Sequence, residues 1–268
     1  MAFERDDIVG ARELLKSAAP AEGPSGRRCV LFDFDGPICR LFPDDSSMRV
    51  ADELRKTIAA ARLTHVLTAY ERTHKDPHVV LRAVHRAGRE RHLENITGLV
   101  RTLEAQVTKG ELEAVPDALP TEHADELIRR LTERGFSLAV VTNNSPLAAD
   151  RYLRSRKLED CFDTVQGRTA DPDLMKPDPD VLHRALKILG VAPKDAVMVG
   201  DTPTDFQAAV RAGGIAFIGY GRNEEKRARL RDAQAKPVIG SYAPLLEEAR
   251  ESGAGESANR FTGEAARR

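Results

Sequence analysis

The run Cys29-Val30-Leu31-Phe32 leads straight into Asp33-Phe34-Asp35-Gly36-Pro37. Four apolar residues followed by two acids and a Gly-Pro turn read as a buried strand ending in a sharp loop. The pattern recurs along the chain. Residues 136–141 are apolar and end at Thr142-Asn143-Asn144, and residues 196–199 end at Gly200-Asp201. Residues 214–218 form a further apolar run, with weaker ones at 162–166 and 237–239. Helical periodicity alternates with these runs over 121–134, 146–156, 179–189 and 204–212. Strand alternating with helix predicts an α/β fold, a doubly wound parallel sheet covered on both faces. In such sheets ligands bind beyond the carboxyl ends of the strands, and the polar residues collect there.

One region breaks the alternation. From Leu41 to about Val115 no strand pattern stands out, and the segment has helical periodicity rich in Arg, His, Glu and Leu. The domain reading is therefore a core over 27–40 and 117–250, with a small all-helical cap over 41–116 inserted after the first strand-loop. An amphipathic helix over 6–18 and a turn-rich linker at 20–26 occupy residues 1–26. The tail at 251–268 has little apolar content and is expected to be disordered.

Composition limits the partners. The chain has 268 residues, 41% of them hydrophobic, which is enough to bury a sizeable core. Its 41 basic and 42 acidic residues give a net charge of −1, which removes the electrostatic argument for a nucleic-acid partner. No stretch reaches the roughly 20 apolar residues a membrane span needs. Residues 1–10 carry four charges and no apolar signal region, and Cys29, Cys39 and Cys161 have no zinc-type spacing. The expectation is a cytoplasmic protein with reduced thiols.

The strand-end residues suggest chemistry. Asp33 and Asp35 are placed to converge on one ligand, one as nucleophile and the other as general acid or base, or they are simply a solvated acid pair. Asp201 and Asp205 offer hard oxygen ligands suited to Mg²⁺, or caps for the following helix. Lys176, within Lys176-Pro177-Asp178-Pro179, would neutralise carboxylate and phosphate charge, or is an ordinary exposed lysine. Thr142 and Asn143 offer a hydroxyl and N–H groups ahead of a helix opening at Pro146, and suit an anion or an N-cap.

Taken in order, these four motifs resemble those of the haloacid dehalogenase superfamily of phosphohydrolases, in particular the subgroup that contains phosphoglycolate phosphatase. Asp35 and Thr142 are 107 residues apart, room for a helical cap; the later gaps of 34 and 25 residues fit single strand-helix units. The resemblance covers roughly 27–246. It implies that Asp33 is the nucleophile and forms an aspartyl-phosphate, and that Asp35 is the acid and base. It implies that Thr142 and the Asn143 N–H hold the phosphoryl oxygens and that Lys176 pairs with Asp33 and phosphate. Mg²⁺ would be held by Asp33, the Asp35 carbonyl, Asp201 and Asp205. The substrate would be a small phosphorylated metabolite. Two other readings stay open: a β-phosphoglucomutase-like phosphotransferase, and a non-catalytic binding or regulatory member. Pro37 stands where the family has Thr, removing a hydroxyl and an N–H from the loop.

In the cap, Asp76-Pro77 reads as the start of a helix. His78, Arg82, His85, Arg89 and His92 then follow at intervals of four and three and share one face. That stripe is a solvated basic face, a surface that attracts an acidic phosphoester or, with no Cys among it to complete a ligand set, a structural metal site. Arg40 and Arg49, near the first hinge, are further candidates for substrate contact.

Overall fold

The computed structural model of the chain describes residues 2–17, 29–91 and 96–246. The linker at 20–26, His92 and the tail at 251–268 lie outside the described residues.

A helix α1 (Ala2–Ser17) precedes β1 (Cys29–Phe32) and the two-residue β2 (Cys39–Arg40). Three helices follow, α2 (Ser47–Ala60), α3 (Pro77–Arg91) and α4 (Ile96–Ala114), and then the short β3 (Leu119–Pro120). The remainder alternates: α5 (Ala124–Glu133), β4 (Ser137–Val141), α6 (Pro146–Ser155), β5 (Thr164–Gln166), α7 (Asp180–Leu189), β6 (Ala196–Gly200), α8 (Pro203–Arg211), β7 (Ala216–Tyr220), α9 (Glu224–Asp232) and β8 (Val238–Ile239).

Six strands form one parallel sheet in the order β5-β4-β1-β6-β7-β8. The chain runs outward from β1 in one direction through β4 and β5, then outward in the other through β6, β7 and β8. This reversal opens a crevice at the carboxyl end of β1. Strand side chains alternate between two cores. Val30 and Phe32 pack with Leu127, Ile128, Tyr152 and Leu153 of α5 and α6. Cys29 and Leu31 face the other way, towards Leu182 and Ala185 of α7, Ala208 and Ala209 of α8, and Leu230 of α9. Every residue of β1 is buried, as expected of a central parallel strand.

Helices α2, α3 and α4 close over a third core of their own. Leu54, Ile58, Leu81 and Leu103 are fully buried there, each contributing about 1.5–3 kcal/mol. Asp76 caps α3 through its carboxylate, which accepts the His78 N–H at 2.8 Å. The insertion leaves and rejoins the α/β body through the antiparallel pair of β2 and β3. Local pattern did not distinguish that pair, because each strand is only two residues long. On the outer side of the body, α1 lies against β8, with Asp7 accepting the Val238 N–H at 3.0 Å.

Two expectations shift, and one helix has no counterpart in the sequence pattern. The helix expected from residue 121 begins at Ala124, because His123 sits in left-handed backbone with φ 63°. The strand expected at 214–218 is Ala216–Tyr220, since Gly213 and Gly214 at positive φ turn the chain out of α8. Helix α9 was not anticipated: it is almost wholly charged, and only Leu230 is buried. No helix among the described residues is long and apolar enough to cross a membrane.

Candidate active site

The carboxyl end of β1 delivers Asp33 into the crevice. Its N–H continues the sheet by bonding the Val199 carbonyl at 2.9 Å. Its carboxylate forms an ion pair with Lys176 Nζ at 2.8 Å. Burial lifts the Asp33 carboxyl well above the ordinary range, and the Lys176 charge opposes that lift. Asp35 lies two residues on. Its Oδ1 accepts the Leu41 N–H at 2.9 Å, so the first residue of the helical insertion fixes one face of this acid. Burial pushes Asp35 up to about 6, against that hydrogen bond. Gly36, the next residue, has φ 130°, and a Cβ there would lie 2.3 Å from the Asp201 carboxylate. Only glycine permits both the turn and this close approach. Thr121 donates to the Gly36 carbonyl at 2.6 Å and Tyr242 to the Pro37 carbonyl at 3.1 Å, anchoring the loop from behind.

The end of β4 supplies Thr142 and Asn143. The Thr142 side chain is buried and faces Asn144: its hydroxyl donates to Asn144 Oδ1 at 3.0 Å and accepts the Asn144 N–H at 3.1 Å. Asn143 turns its side chain to the turn carrying Lys176. Its Oδ1 accepts the Lys176 N–H at 2.8 Å, and its Nδ2 donates to the Lys176 carbonyl at 3.2 Å. The Lys176 ammonium is thereby aimed inward. There it meets Asp33, Asp205 Oδ1 at 2.6 Å and the Val141 carbonyl at 3.0 Å. Burial alone would lower the lysine pKa; Asp205 and Asp33 outweigh it and hold the group well above its ordinary range.

The end of β6 supplies Asp201 and Asp205. Asp205 joins Thr202 in a capping box at the start of α8. Its Oδ2 accepts from the N–H groups of Asp201 and Thr202 and from the Thr202 hydroxyl. Asp201 differs. Its Oδ2 pairs with Lys226 of α9, while its buried Oδ1 has no hydrogen-bond partner among the described residues. Carboxylate oxygens of Asp33, Asp201 and Asp205 lie within 4.8 Å of one another. Hard oxygens around an unpartnered, buried carboxylate atom fit a divalent cation such as Mg²⁺. Lys226 was not singled out in the sequence, because nothing in a charged helix says which cation points inward.

These residues line a cleft of about 790 Å³ between the sheet and the insertion. Tyr70, His74, Lys75 and His78 line it from the insertion, and Arg40, Arg222 and Lys226 from the body. Arg49 is not among the lining residues; it is 76% exposed and lies 3.9 Å from Glu113.

The basic stripe divides. His78 reaches the cleft, whereas Arg82 donates to the Lys176 carbonyl at 3.2 Å. His85 lies 3.4 Å from Asp171 and 3.3 Å from Asp173, and Arg89 also pairs with Asp173. Arg82, His85 and Arg89 therefore meet acids and a carbonyl of the body and do not line the cleft, although the Arg89 side chain stays 67% exposed. Position along the helix could not reveal this, because Asp171 and Asp173 come from a distant loop.

Arg168, just past β5, and Glu111, on α4, form a fully buried pair beneath Asn143 and Asn144. Arg168 follows a strand end, the one signal that could have drawn attention to it; Glu111 carried none.

A parallel α/β sheet whose strand ends gather carboxylates and one buried lysine defines a hydrolase-type centre. Residues 27–213 match the model of the haloacid dehalogenase-like hydrolases. The chain belongs to that family. Among curated relatives, it is 32% identical over 129 residues to pyrophosphatase PpaX of Halalkalibacterium halodurans, spanning 48% of this chain and 59% of that protein. It is 37% identical over 125 residues to a phosphoglycolate phosphatase of Nitrosospira multiformis, spanning 46% and 55%. The matched stretch thus spans about half the length of these relatives. Among solved structures, a hydrolase from Pseudomonas syringae aligns over 84% of this chain and 99% of its own, with TM-score 0.59 and 19% identity. CbbY from Rhodobacter sphaeroides, solved with phosphate, aligns over 82% and 96% with TM-score 0.55 and 21% identity. Both likenesses establish the fold.

Proposed function

We propose that the protein is a Mg²⁺-dependent phosphohydrolase of small phosphorylated metabolites, working in the cytoplasm through an aspartyl-phosphate on Asp33. The observation that carries the reading is the buried Asp33–Lys176–Asp205 ion cluster beside the unpartnered Asp201 Oδ1. The carboxylates of Asp33 and Asp201 and the Asp35 backbone carbonyl would hold Mg²⁺, with Asp205 supporting them. The ion would screen the repulsion between carboxylate and phosphate.

In the first step an Asp33 oxygen bonds to phosphorus while the ester P–O bond breaks. The leaving oxygen takes the Asp35 proton. In the second step a water oxygen bonds to phosphorus, its proton returns to Asp35, and the acyl-phosphate P–O bond breaks to free Asp33. Lys176 and the Asn143 N–H carry the charge of the phosphoryl oxygens, since the Thr142 N–H is bonded to the Gln166 carbonyl at 3.0 Å. An acid near pH 6 suits both directions of proton transfer. Arg40, Lys75 and Arg222 on the cleft wall suit a second anionic group on the substrate, as pyrophosphate and phosphoglycolate both have. The three free thiols agree with a reducing compartment.

The test is phosphate release from phosphoglycolate, pyrophosphate and p-nitrophenyl phosphate, with Mg²⁺ and after exhaustive chelation. Release that stops on chelation and returns with Mg²⁺ supports the reading. No release from any of a metabolite panel, or isomerisation of a sugar phosphate without net release, overturns it.

A further inference from the structure

Glu111 belongs to none of the strand-end motifs, yet its carboxylate is fully buried and fully engaged. Oε1 accepts from Asn144 Nδ2 and Arg168 Nη1, both at 3.0 Å, and lies 3.0 Å from His78 Nε2. Oε2 accepts the Ser145 N–H at 2.8 Å and Arg168 Nη2 at 3.2 Å. Arg168 thus meets Glu111 as a two-pronged fork. Its Nη1 also donates to the Asn143 carbonyl at 2.8 Å, and its far edge bonds Glu104 and Thr108 of α4.

The consequence falls on one short turn. Asn143 is held by its carbonyl, Asn144 by its side-chain amide and Ser145 by its N–H, all through this one pair. Asn144 in turn fixes the Thr142 hydroxyl from both sides. Ser145 is also the N-cap of α6. Two apolar side chains of similar volume would join α4 to the body at lower desolvation cost. What the charged fork adds is planar, directional hydrogen bonding.

We propose that Glu111 and Arg168 are positioning residues, through which helix α4 of the insertion holds the Thr142–Ser145 turn in its anion-accepting shape. Seating of the insertion and affinity for phosphate are then one property: displacing α4 strips the turn of its acceptors, and by linkage a bound phosphate favours the seated insertion. The inference rests on the phosphohydrolase reading, which makes this turn a phosphoryl site.

The experiment titrates inorganic phosphate into the Mg²⁺-loaded protein by calorimetry and measures KM and kcat for p-nitrophenyl phosphate. The variants are Glu111→Gln, Arg168→Met, their double, and Arg89→Ala. The last breaks an ion pair on the same insertion–body contact without touching the turn. Glu111→Gln and Arg168→Met should each weaken phosphate binding about ten-fold and raise KM with it, the size of one lost charge-assisted contact. The double variant should be no worse than its worse parent, and Arg89→Ala should bind phosphate like the wild type. Where the buried variants fail to fold, Asn144→Ser keeps the Glu111–Arg168 pair and removes the side-chain amide that bridges Glu111 to the Thr142 hydroxyl, and the same loss is expected. Lowered melting temperatures with unchanged phosphate affinity would mean a merely structural pair and overturn the proposal. Equal losses in Arg89→Ala would do the same. A wild type that binds no phosphate with Mg²⁺ sinks the phosphohydrolase reading and this inference with it; a wild type that binds, with variants that bind equally, sinks this inference alone.

Discussion

Asp33 at the end of β1 and Arg82 on α3 come from the two halves of the molecule and are held by different means. The N–H of Asp33 is part of the sheet ladder, so the backbone that makes the strand also aims the carboxylate. Arg82 projects from a helix and finds its place only when it meets the Lys176 carbonyl of the other half. The same contrast runs through the site. Asp201 and Asp205 are placed by the start of α8, and Lys176 by the side chain of Asn143. His85 and Arg89 depend on Asp171 and Asp173 across the boundary. Strand ends place charge locally; helix faces place it by docking.

The strongest way to break this contrast is at the strand end. Asp33→Asn keeps the shape and removes the nucleophile, so turnover should fall at least about 10³-fold with every substrate. A purified variant that keeps a few per cent of the rate would show that the strand end does not carry the chemistry.

The same contrast explains what could be read from the sequence. A buried strand ending in acids is a local statement, and Asp33, Asp35, Thr142, Lys176 and Asp201 converge on one crevice. Which way Thr142 and Asn143 turn was not readable. Their side chains answer to Asn144 and Lys176, and Glu111 orders that turn from 34 residues away along the chain. Lys226 was invisible for a similar reason: one lysine among many charged residues of α9 happens to meet Asp201. The stripe on α3 was visible as a pattern, but its partners were not, so the choice between a solvated face and a cleft face missed the loop that it meets.

Asp35 offers the next largest effect. Asp35→Asn should cost about 10²–10⁴-fold for substrates with poor leaving groups. Because Asp35 sits at about 6 rather than 3.8, the proton it donates is lost as pH rises through 6. A pH–rate profile for an alkyl phosphate should therefore fall above that value, and one for p-nitrophenyl phosphate should fall less. The sign for folding follows: between pH 3.8 and 6 the unfolded chain releases this proton first, so Asp35 costs stability as pH rises. A flat alkyl-phosphate profile from pH 5 to 8 would remove Asp35 from the acid role.

The insertion should respond to acid instead. Burial would raise Glu111, but the His78 hydrogen bond and the Arg168 charge outweigh it and hold the carboxyl at about 2. Its folded value is thus depressed, so its contribution is complete above 4.5 and is lost as pH falls towards 2. The amount is at most about 3 kcal/mol. Melting curves between pH 5 and pH 2.5 should show wild type and Glu111→Gln converging; a gap that stays constant would contradict the assignment.

The smallest effect belongs to the outer end of the stripe. Arg89 is 67% exposed, and exposed ion pairs are worth about 0–1 kcal/mol. Arg89→Ala should shift stability by no more than that and leave KM for dianionic and generic substrates alike. A selective rise in KM for the more acidic substrate would return this end of the stripe to the cleft.

Helix α1 matters for a different reason. The Val238 N–H points away from β7, at the last strand of the sheet, and Asp7 accepts it. Arg231 pairs with the same Asp7, Arg12 holds the Pro244 carbonyl, and Pro237 has no N–H to offer. An open strand margin is a template on which a second chain can add its own strand. Here the outward donor is already spoken for by a side chain that cannot propagate a ladder. The amino-terminal helix thus occupies the place at Val238 where a second strand would pair. A shortened chain lacking residues 1–17 should keep its catalytic centre but lose solubility as its concentration rises, which light scattering would register.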